Sequence, residues 1–277
     1  MKKFLSVVAM CLTAGALLVG CGDQNQSSPE DAKIGMIAGL NVGEQDAYKM
    51  IRKNNADLAN YYFVPFDDLK TMQLSLSSGA IDEMSTYKSV ADYLIARRPE
   101  LEISKAHSFL FNMSDSFCCA VRSDNQQLRE ELNGAINAMK SDGTLDRLTK
   151  EYITDLKGMD EPPAVELPKF DGAETIKVAV TGDLPPLDLI RADGTPAGFN
   201  TAVLSEIGKR LNKNIETVSI EGAARSAALS SGNADVVFWV RVPASDDLFP
   251  LDFDCPDDVD ISEPYFKDST VHVGIKK

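Results

Sequence analysis

What most constrains this chain is a local pattern that occurs in two series. In each series a short apolar run passes through a glycine-containing turn into apolar residues at helical spacing. The first series opens with Lys33-Ile34-Gly35-Met36-Ile37-Ala38 and turns through residues 39–43. It continues into residues 44–52, with Ala47, Met50 and Ile51 at helical spacing. Residues 61–66 read as a second strand. Asp67 and Asp68 then cap a helix carrying Leu69, Met72, Leu74 and Leu76, which closes at Ser77-Ser78-Gly79. Residues 80–84 read as a third strand and residues 89–98 as a third helix. Strands alternating with helices in this way predict βαβ units on a parallel sheet.

Residues 109–111 and 117–121 are further strand candidates. Residues 126–139 place Leu128, Leu132, Ile136 and Met139 on one helical face, and residues 145–153 form another helix. The stretch 156–175 holds Gly158, Pro162, Pro163, Pro168 and Gly172 without periodicity, which is linker composition. After it the pattern restarts, with strands at 176–181, 215–220 and 235–240 and helices at 200–211 and 223–230. Residues 243–260 are acidic and irregular, and residues 271–275 form a last strand.

The N-terminus has the layout of an export leader. Met1-Lys2-Lys3 is basic, residues 4–19 are mostly apolar, and the run closes on Leu18-Val19-Gly20-Cys21. The apolar run is too short and too abruptly ended for a membrane span. Its close resembles a bacterial lipobox, which implies cleavage before Cys21 and lipid on that residue. A plain secretory leader with an incidental cysteine, or an uncleaved anchor, is the other reading. Residues 22–32 are polar and read as a flexible tether.

Beyond Cys21 there remain about 255 residues, enough for one large domain or two lobes. The apolar fraction of 44% and charged fraction of 25% are those of a globular chain. A net charge of −14 argues against nucleic acid and against a surface that hugs anionic lipid. Of the five cysteines, Cys118, Cys119 and Cys255 lie outside the leader and the lipobox. Their spacing matches no zinc pattern, and His107 and His272 are the only histidines, so no metal and no cofactor is expected. Buried, reduced thiols are the expectation for Cys118 and Cys119.

The second series carries a resemblance. Ile176–Val180 leads into Gly182-Asp183-x-Pro185-Pro186, then Asp193-Gly194 and Gly198-Phe199-Asn200. Leu229-x-x-Gly232-x-Ala234-Asp235 and Ser262-Glu263-Pro264-Tyr265-Phe266 follow. These resemble the opening lobe of the family 3 extracellular solute-binding proteins, the receptors of polar amino-acid ABC importers. Phe66-Asp67-Asp68-Leu69 with Ser78-Gly79-Ala80-Ile81-Asp82 resembles the matching turn of the other lobe. Lys140-Ser141-Asp142-Gly143-Thr144-Leu145 resembles the family's closing segment. The motifs stand in cyclically shifted order, which implies a circularly permuted chain.

The resemblance implies an α/β, two-lobe, type II periplasmic-binding-protein-like fold, each lobe a sheet flanked by helices, joined by two crossing hinge strands. Five segments follow: leader 1–21, tether 22–32, second-lobe segment with the family's C-terminal helices 33–156, linker 157–175, and first-lobe segment 176–277. One lobe is expected from residues 33 to about 111, the other from 176 to about 269 plus the helices at 126–153. The crossing strands are expected near 117–121 and 271–275.

The pocket departs from the family. The arginine that clamps a ligand carboxylate falls near Asp247, and the acid that takes the ligand ammonium falls at Tyr87, so both anchors are absent. The aromatics expected after Pro186 are replaced by Leu187 and Leu189. Candidate ligand contacts are Asp183, Leu187, Trp239, Val240 and Arg241 in one lobe and Asn41, Val42 and Tyr87 in the other. Arg241 offers a cation, Trp239 a stacking ring, and residues 39–43 free amides with Asn41 as a side-chain donor. Each has a structural reading beside it: a solvated strand end for Arg241, core packing for Trp239, a turn residue for Asp183 and lobe-surface packing for Tyr87.

The leading expectation is a monomeric, lipid-anchored, extracytoplasmic receptor on a bacterial cell membrane, with a small-molecule ligand and an ABC permease as partners. It is not expected to be an enzyme. A ligand sensor or surface interaction lipoprotein without a transport role is the second reading. A dehydratase-like enzyme is the third, with Asp183 and Glu44 as its only nameable acid–base groups.

Overall fold

The computed structural model describes residues 32–40, 61–104, 113–156, 161–244 and 254–276, together with residues 46, 49 and 252. The leader, Cys21, residues 22–31 of the expected tether, Asn41, Val42, Glu44, His107, the strand expected at 109–111 and Asp247 lie outside them, and Ala32, expected as tether, instead begins the first strand. The first lobe-forming stretch contains β1 (Ala32–Ile37), β2 (Tyr61–Phe66), α1 (Leu69–Ser77), β3 (Glu83–Tyr87), α2 (Lys88–Arg97) and β4 (Leu101–Ile103). Then come β5 (Ser114–Arg122), α3 (Gln126–Ser141) and α4 (Thr144–Thr149), which runs on into a wider helical turn at Lys150–Thr154. The last stretch holds β6 (Thr175–Val180), β7 (Asp183–Leu184), β8 (Asp188–Ile190), β9 (Pro196–Ala197), α5 (Phe199–Leu211) and β10 (Asn214–Ser219). After a tight turn at Gly222–Ala224 it ends in α6 (Arg225–Ser230), β11 (Val236–Pro243), β12 (Val259–Ile261) and β13 (Phe266–Ile275).

One strand order is used twice. In the N-terminal lobe it is β2-β1-β3-β13-β4, and in the C-terminal lobe β10-β6-β11-β5-β12. In each, a first strand pairs in parallel with the next two, then an antiparallel strand enters, with a short strand beyond it. β13 crosses between the lobes. Its residues 266–269 pair with residues 114–117 of β5, and its residues 270–273 pair with residues 84–87 of β3. This is the two-lobed α/β fold that the resemblance implies; of the crossing strands expected near 117–121 and 271–275, the pairing shows β13 crossing, over residues 266–273, while residues 117–121 of β5 pair with β11 and β12 in the C-terminal lobe.

The helices follow their sequence patterns. α3 buries Leu128, Leu132, Ala135, Ile136 and Met139, the face that the 3.6-residue period predicts, and packs on α5. Asp68 caps α1 by accepting the Thr71 N–H at 2.6 Å.

One strand is displaced from its expected place. Residues 80–84 are not β3, which runs from Glu83 to Tyr87. The end of α1 takes up residues 78–81, whose N–H groups donate back to Leu74, Leu76 and Ser75, with Gly79 at φ +74°. The shift carries Tyr87 to the C-terminal end of its strand.

The proline-rich stretch is stitched to the C-terminal lobe. Val165 donates to the Pro196 carbonyl, Gly198 to Pro163, Ser205 Oγ to Glu166, and Phe170 to Asn214 Oδ1. Its backbone finds partners on β9, α5 and β10, although it has no periodic structure of its own.

Candidate functional site

Parallel strands leave their C-terminal ends, and the helices that follow, on one side of each sheet. Here those ends face one another across the crossing strands. Asp183 stands just past β6, after Gly182 at φ +73°, where a Cβ would lie 2.5 Å from Ile190. Its Oδ2 accepts the N–H of Leu69, the first residue of α1 in the other lobe, at 2.5 Å. The helix N-terminus favours the negative charge. Burial outweighs it, with Asp188 and Asp68 adding to the effect, and pushes the Asp183 carboxyl from 3.8 up to about 6.

A second carboxylate holds the next helix. Asp268 Oδ2, on β13, accepts the N–H of Ser89 at 3.1 Å and its hydroxyl at 2.6 Å, at the start of α2. Burial raises the Asp268 pKa. A third, Asp254, accepts the Leu40 N–H at 2.5 Å across the lobes. Gly39 is required beside it, because a Cβ there would lie 1.9 Å from Asp254 Oδ1.

Arg225 is fully buried at the start of α6. Its Nη1 donates to the Trp239 carbonyl at 2.7 Å, its Nε to Gly222 at 3.3 Å, and its Nη2 to Ala38 in the other lobe at 3.4 Å. Burial lowers its pKa, while Asp254, Asp188, Tyr87 and Asp183 oppose that shift. Arg241 is 13% exposed in its side chain and lies 3.8 Å from Asp254 Oδ2.

Between these charges lies an aromatic cluster. Tyr87 packs on Phe117 with ring centroids 4.6 Å apart and meets Trp239 edge-on at 5.7 Å. Phe117 and Trp239 are 5.2 Å apart. Tyr87 donates its hydroxyl to Asp115 Oδ2 at 3.2 Å. Burial, with Asp254 and Asp268 nearby, pushes Asp115 up to about 6, and burial together with Asp115 raises Tyr87.

Of the sequence candidates, Asp183, Tyr87, Trp239 and Arg241 therefore converge on the interlobe region. Leu187 is fully buried, and its carbonyl takes the Asn200 N–H at the start of α5. Val240 is buried in a second core cluster with Leu40, Ala120 and Ala179. Asn41 and Val42 fall outside the described residues.

Sequence reading missed Arg225, Asp115, Asp254 and Asp268. Arg225 sits among Ala223, Ala224, Ala227 and Ala228 and reads as a solvated helix charge; that small-residue flank is the only clue to its burial. Asp115 and Phe117 share a face by the period-2 rule, which is a signal the alternation offered. Among the described residues, no group of three or more His, Cys, Asp or Glu is placed to hold a metal ion.

Residues 176–240 match the model of the bacterial extracellular solute-binding proteins, family 3. No curated protein sequence matches the chain. Among solved structures, the chain is similar to a ligand-binding component of an ABC-type import system from Staphylococcus aureus with zinc bound. Identity there is 14%, over 88% of this chain and 65% of that chain, with a TM-score of 0.41. This chain thus spans just under two thirds of that structure's length. It is also similar to a nutrient-binding protein from Burkholderia cenocepacia bound to methionine, at 13% identity over 88% of this chain and 84% of that chain, with a TM-score of 0.39. A third similar structure is full-length CbnR complexed with its target DNA, at 13% identity over 92% of this chain and 69% of that chain, with a TM-score of 0.45.

Proposed function

We propose that this chain is a lipid-anchored, extracytoplasmic substrate-binding protein of an ABC importer whose two lobes close on a small polar or aromatic metabolite. One observation carries the reading. Two sheets of identical strand order turn their C-terminal strand ends and helix N-termini toward each other, and the one that begins at β6 lies in the segment matching the family model. Ligands of open α/β sheets bind at such strand ends. A ligand touching both lobes favours the closed state, and that state is what a permease partner distinguishes.

In this reading the halves are circularly permuted. The family's opening segment begins at residue 176, with β1 to β4 before it in the chain. The segments 33–156 and 176–277 are then the two family halves in reversed order, and 157–175 bridges the original ends. Cys21 carries the lipid and residues 22–32 tether the lobes to the membrane. No helix among the described residues is long and apolar enough to cross a membrane. Asp183, Tyr87, Trp239 and Arg241 are the proposed cleft residues, and Tyr87 replaces the acid expected for a ligand ammonium.

The test is a thermal-shift screen over amino acids, amines, nucleosides and aromatic acids, followed by small-angle scattering with any hit. The expected result is a saturable rise in Tm with a smaller radius of gyration. A screen in which nothing shifts the Tm would overturn the receptor reading. The anchor is tested separately. Metabolic labelling with a fatty acid should tag the wild type and fail on Cys21→Ser.

A further inference from the structure

We propose that the ligand of this cleft is a compact organic cation, a substituted ammonium, held between Tyr87 and Trp239 over the Asp115 carboxylate. The inference rests on the receptor reading above and names the ligand class.

Among the described residues, two helix N-termini where an anionic ligand would dock are already filled. The helix N-termini of α1 and α2 are anion sites by virtue of their free N–H groups and dipoles. Asp183 occupies the first and Asp268 the second, each as a carboxylate supplied by the chain itself. Arg225 donates to three backbone carbonyls, and Arg241 lies beside Asp254. A ligand carboxylate entering here would meet acids and committed cations.

The acids outnumber the cations. Among the described residues, Asp115, Asp183, Asp188, Asp254 and Asp268 stand around this region against Arg225 and Arg241. Asp115 is 6% exposed, and among the described residues its carboxylate accepts from the Tyr87 hydroxyl, a neutral donor. A carboxylate taken out of water without a cation is costly, and an incoming positive charge relieves that cost.

The walls have the matching chemistry. Tyr87, Phe117 and Trp239 form a buried cluster, and aromatic faces attract substituted ammonium groups through the ring quadrupole. Tyr87 belongs to one lobe and Trp239 to the other, so parting of the lobes separates the two rings and uncovers Asp115. Trp239 is 3% exposed, and its Nε1–H has no partner among the described residues. A buried donor of that kind asks for an acceptor, which a hydroxyl on the cation supplies.

Choline and tetramethylammonium are the probes, read by calorimetry and thermal shift. Dimethylbutanol, in which carbon replaces the charged nitrogen, is the neutral control, beside a panel of amino acids, nucleosides and aromatic acids. The expected result is saturable binding of choline, none of its isostere, and an affinity loss of about thirtyfold in Asp115→Asn. That variant keeps an oxygen for the Tyr87 hydroxyl, and its circular dichroism should match the wild type. Equal binding of the neutral isostere, unchanged choline affinity in Asp115→Asn, or binding of an uncharged or acidic panel member instead of the cations would overturn the cation class and leave the receptor reading standing. If no compound in either set binds, both fall.

Discussion

Asp183, at the start of β7, accepts the backbone N–H of Leu69, the first residue of α1, at 2.5 Å, and so ties the two lobes together through one carboxylate. That carboxylate is held in a place that disfavours its charge. Burial raises its pKa from 3.8 to about 6, so between those values the folded chain keeps a proton that the unfolded chain has released. Stability from this group is therefore full at low pH and declines as pH rises through about 6. Asp183→Asn keeps an oxygen for Leu69 and cannot ionise. Urea midpoints at about pH 3, below both values, should be similar for variant and wild type, and at about pH 8 the variant should be the more stable. Asp115→Asn should behave alike, because burial pushes Asp115 up to about 6 as well. A variant that loses stability as pH rises just as steeply as the wild type would contradict this assignment.

Arg225 is the costliest side chain of the region to remove. Its three hydrogen bonds join Gly222 and Trp239 of one lobe to Ala38 of the other. Arg225→Met conserves much of the volume and takes the guanidinium donor from the Trp239 and Ala38 carbonyls, each worth about 1–3 kcal/mol when buried, while Gly222 keeps the backbone N–H of residue 225. Denaturant unfolding should show a loss of roughly 3 kcal/mol after partial relaxation. A loss within the range of surface substitutions would show that the guanidinium does not hold the lobes together.

Helix α1 presents its first turn to the cleft, so its cap affects more than the helix. Asp68 accepts the Thr71 N–H at 2.6 Å and the Thr71 hydroxyl at 2.8 Å. Asp68→Ala should cost about 1 kcal/mol in equilibrium unfolding. It should also speed hydrogen exchange at residues 69–72 before the rest of the helix. Uniform acceleration across α1 would argue against a local cap.

The fold was legible in the sequence because it is written in local patterns. The period of α3, the Asp68 cap and the glycine turns at Gly79 and Gly182 all read directly. β3 was misplaced by three residues at each end, since a helix C-terminus that consumes residues 78–81 looks apolar like a strand start. The site was less legible. Tyr87 and Asp183 sit at strand ends that any βαβ reading would flag, whereas Trp239 lies within β11. Arg225, Asp254 and Asp268 become site residues only through contacts spanning 100 residues or more, or through burial among alanines, which no local spacing encodes. A pairing such as Asp254 with Leu40, across 214 positions, is a property of the packed lobes and of no segment alone.

The thiols give a prediction that needs no ligand. Cys118 and Cys119 lie on β5, and both are buried; Cys255 is half-buried beside β12. None of the three is in a disulfide. Burial pushes Cys118 up to about 12 and Cys255 up to about 11, and raises Cys119 as well. Reaction with an aromatic disulfide reagent needs the thiolate, which is scarce at mildly alkaline pH when the pKa is raised this far. The native protein should therefore release almost no chromophore over minutes, and addition of urea should release it at once from all three. Fast reaction of more than one thiol in the native state would mean that β5 is exposed in solution, and would place it in a more open arrangement than the one described.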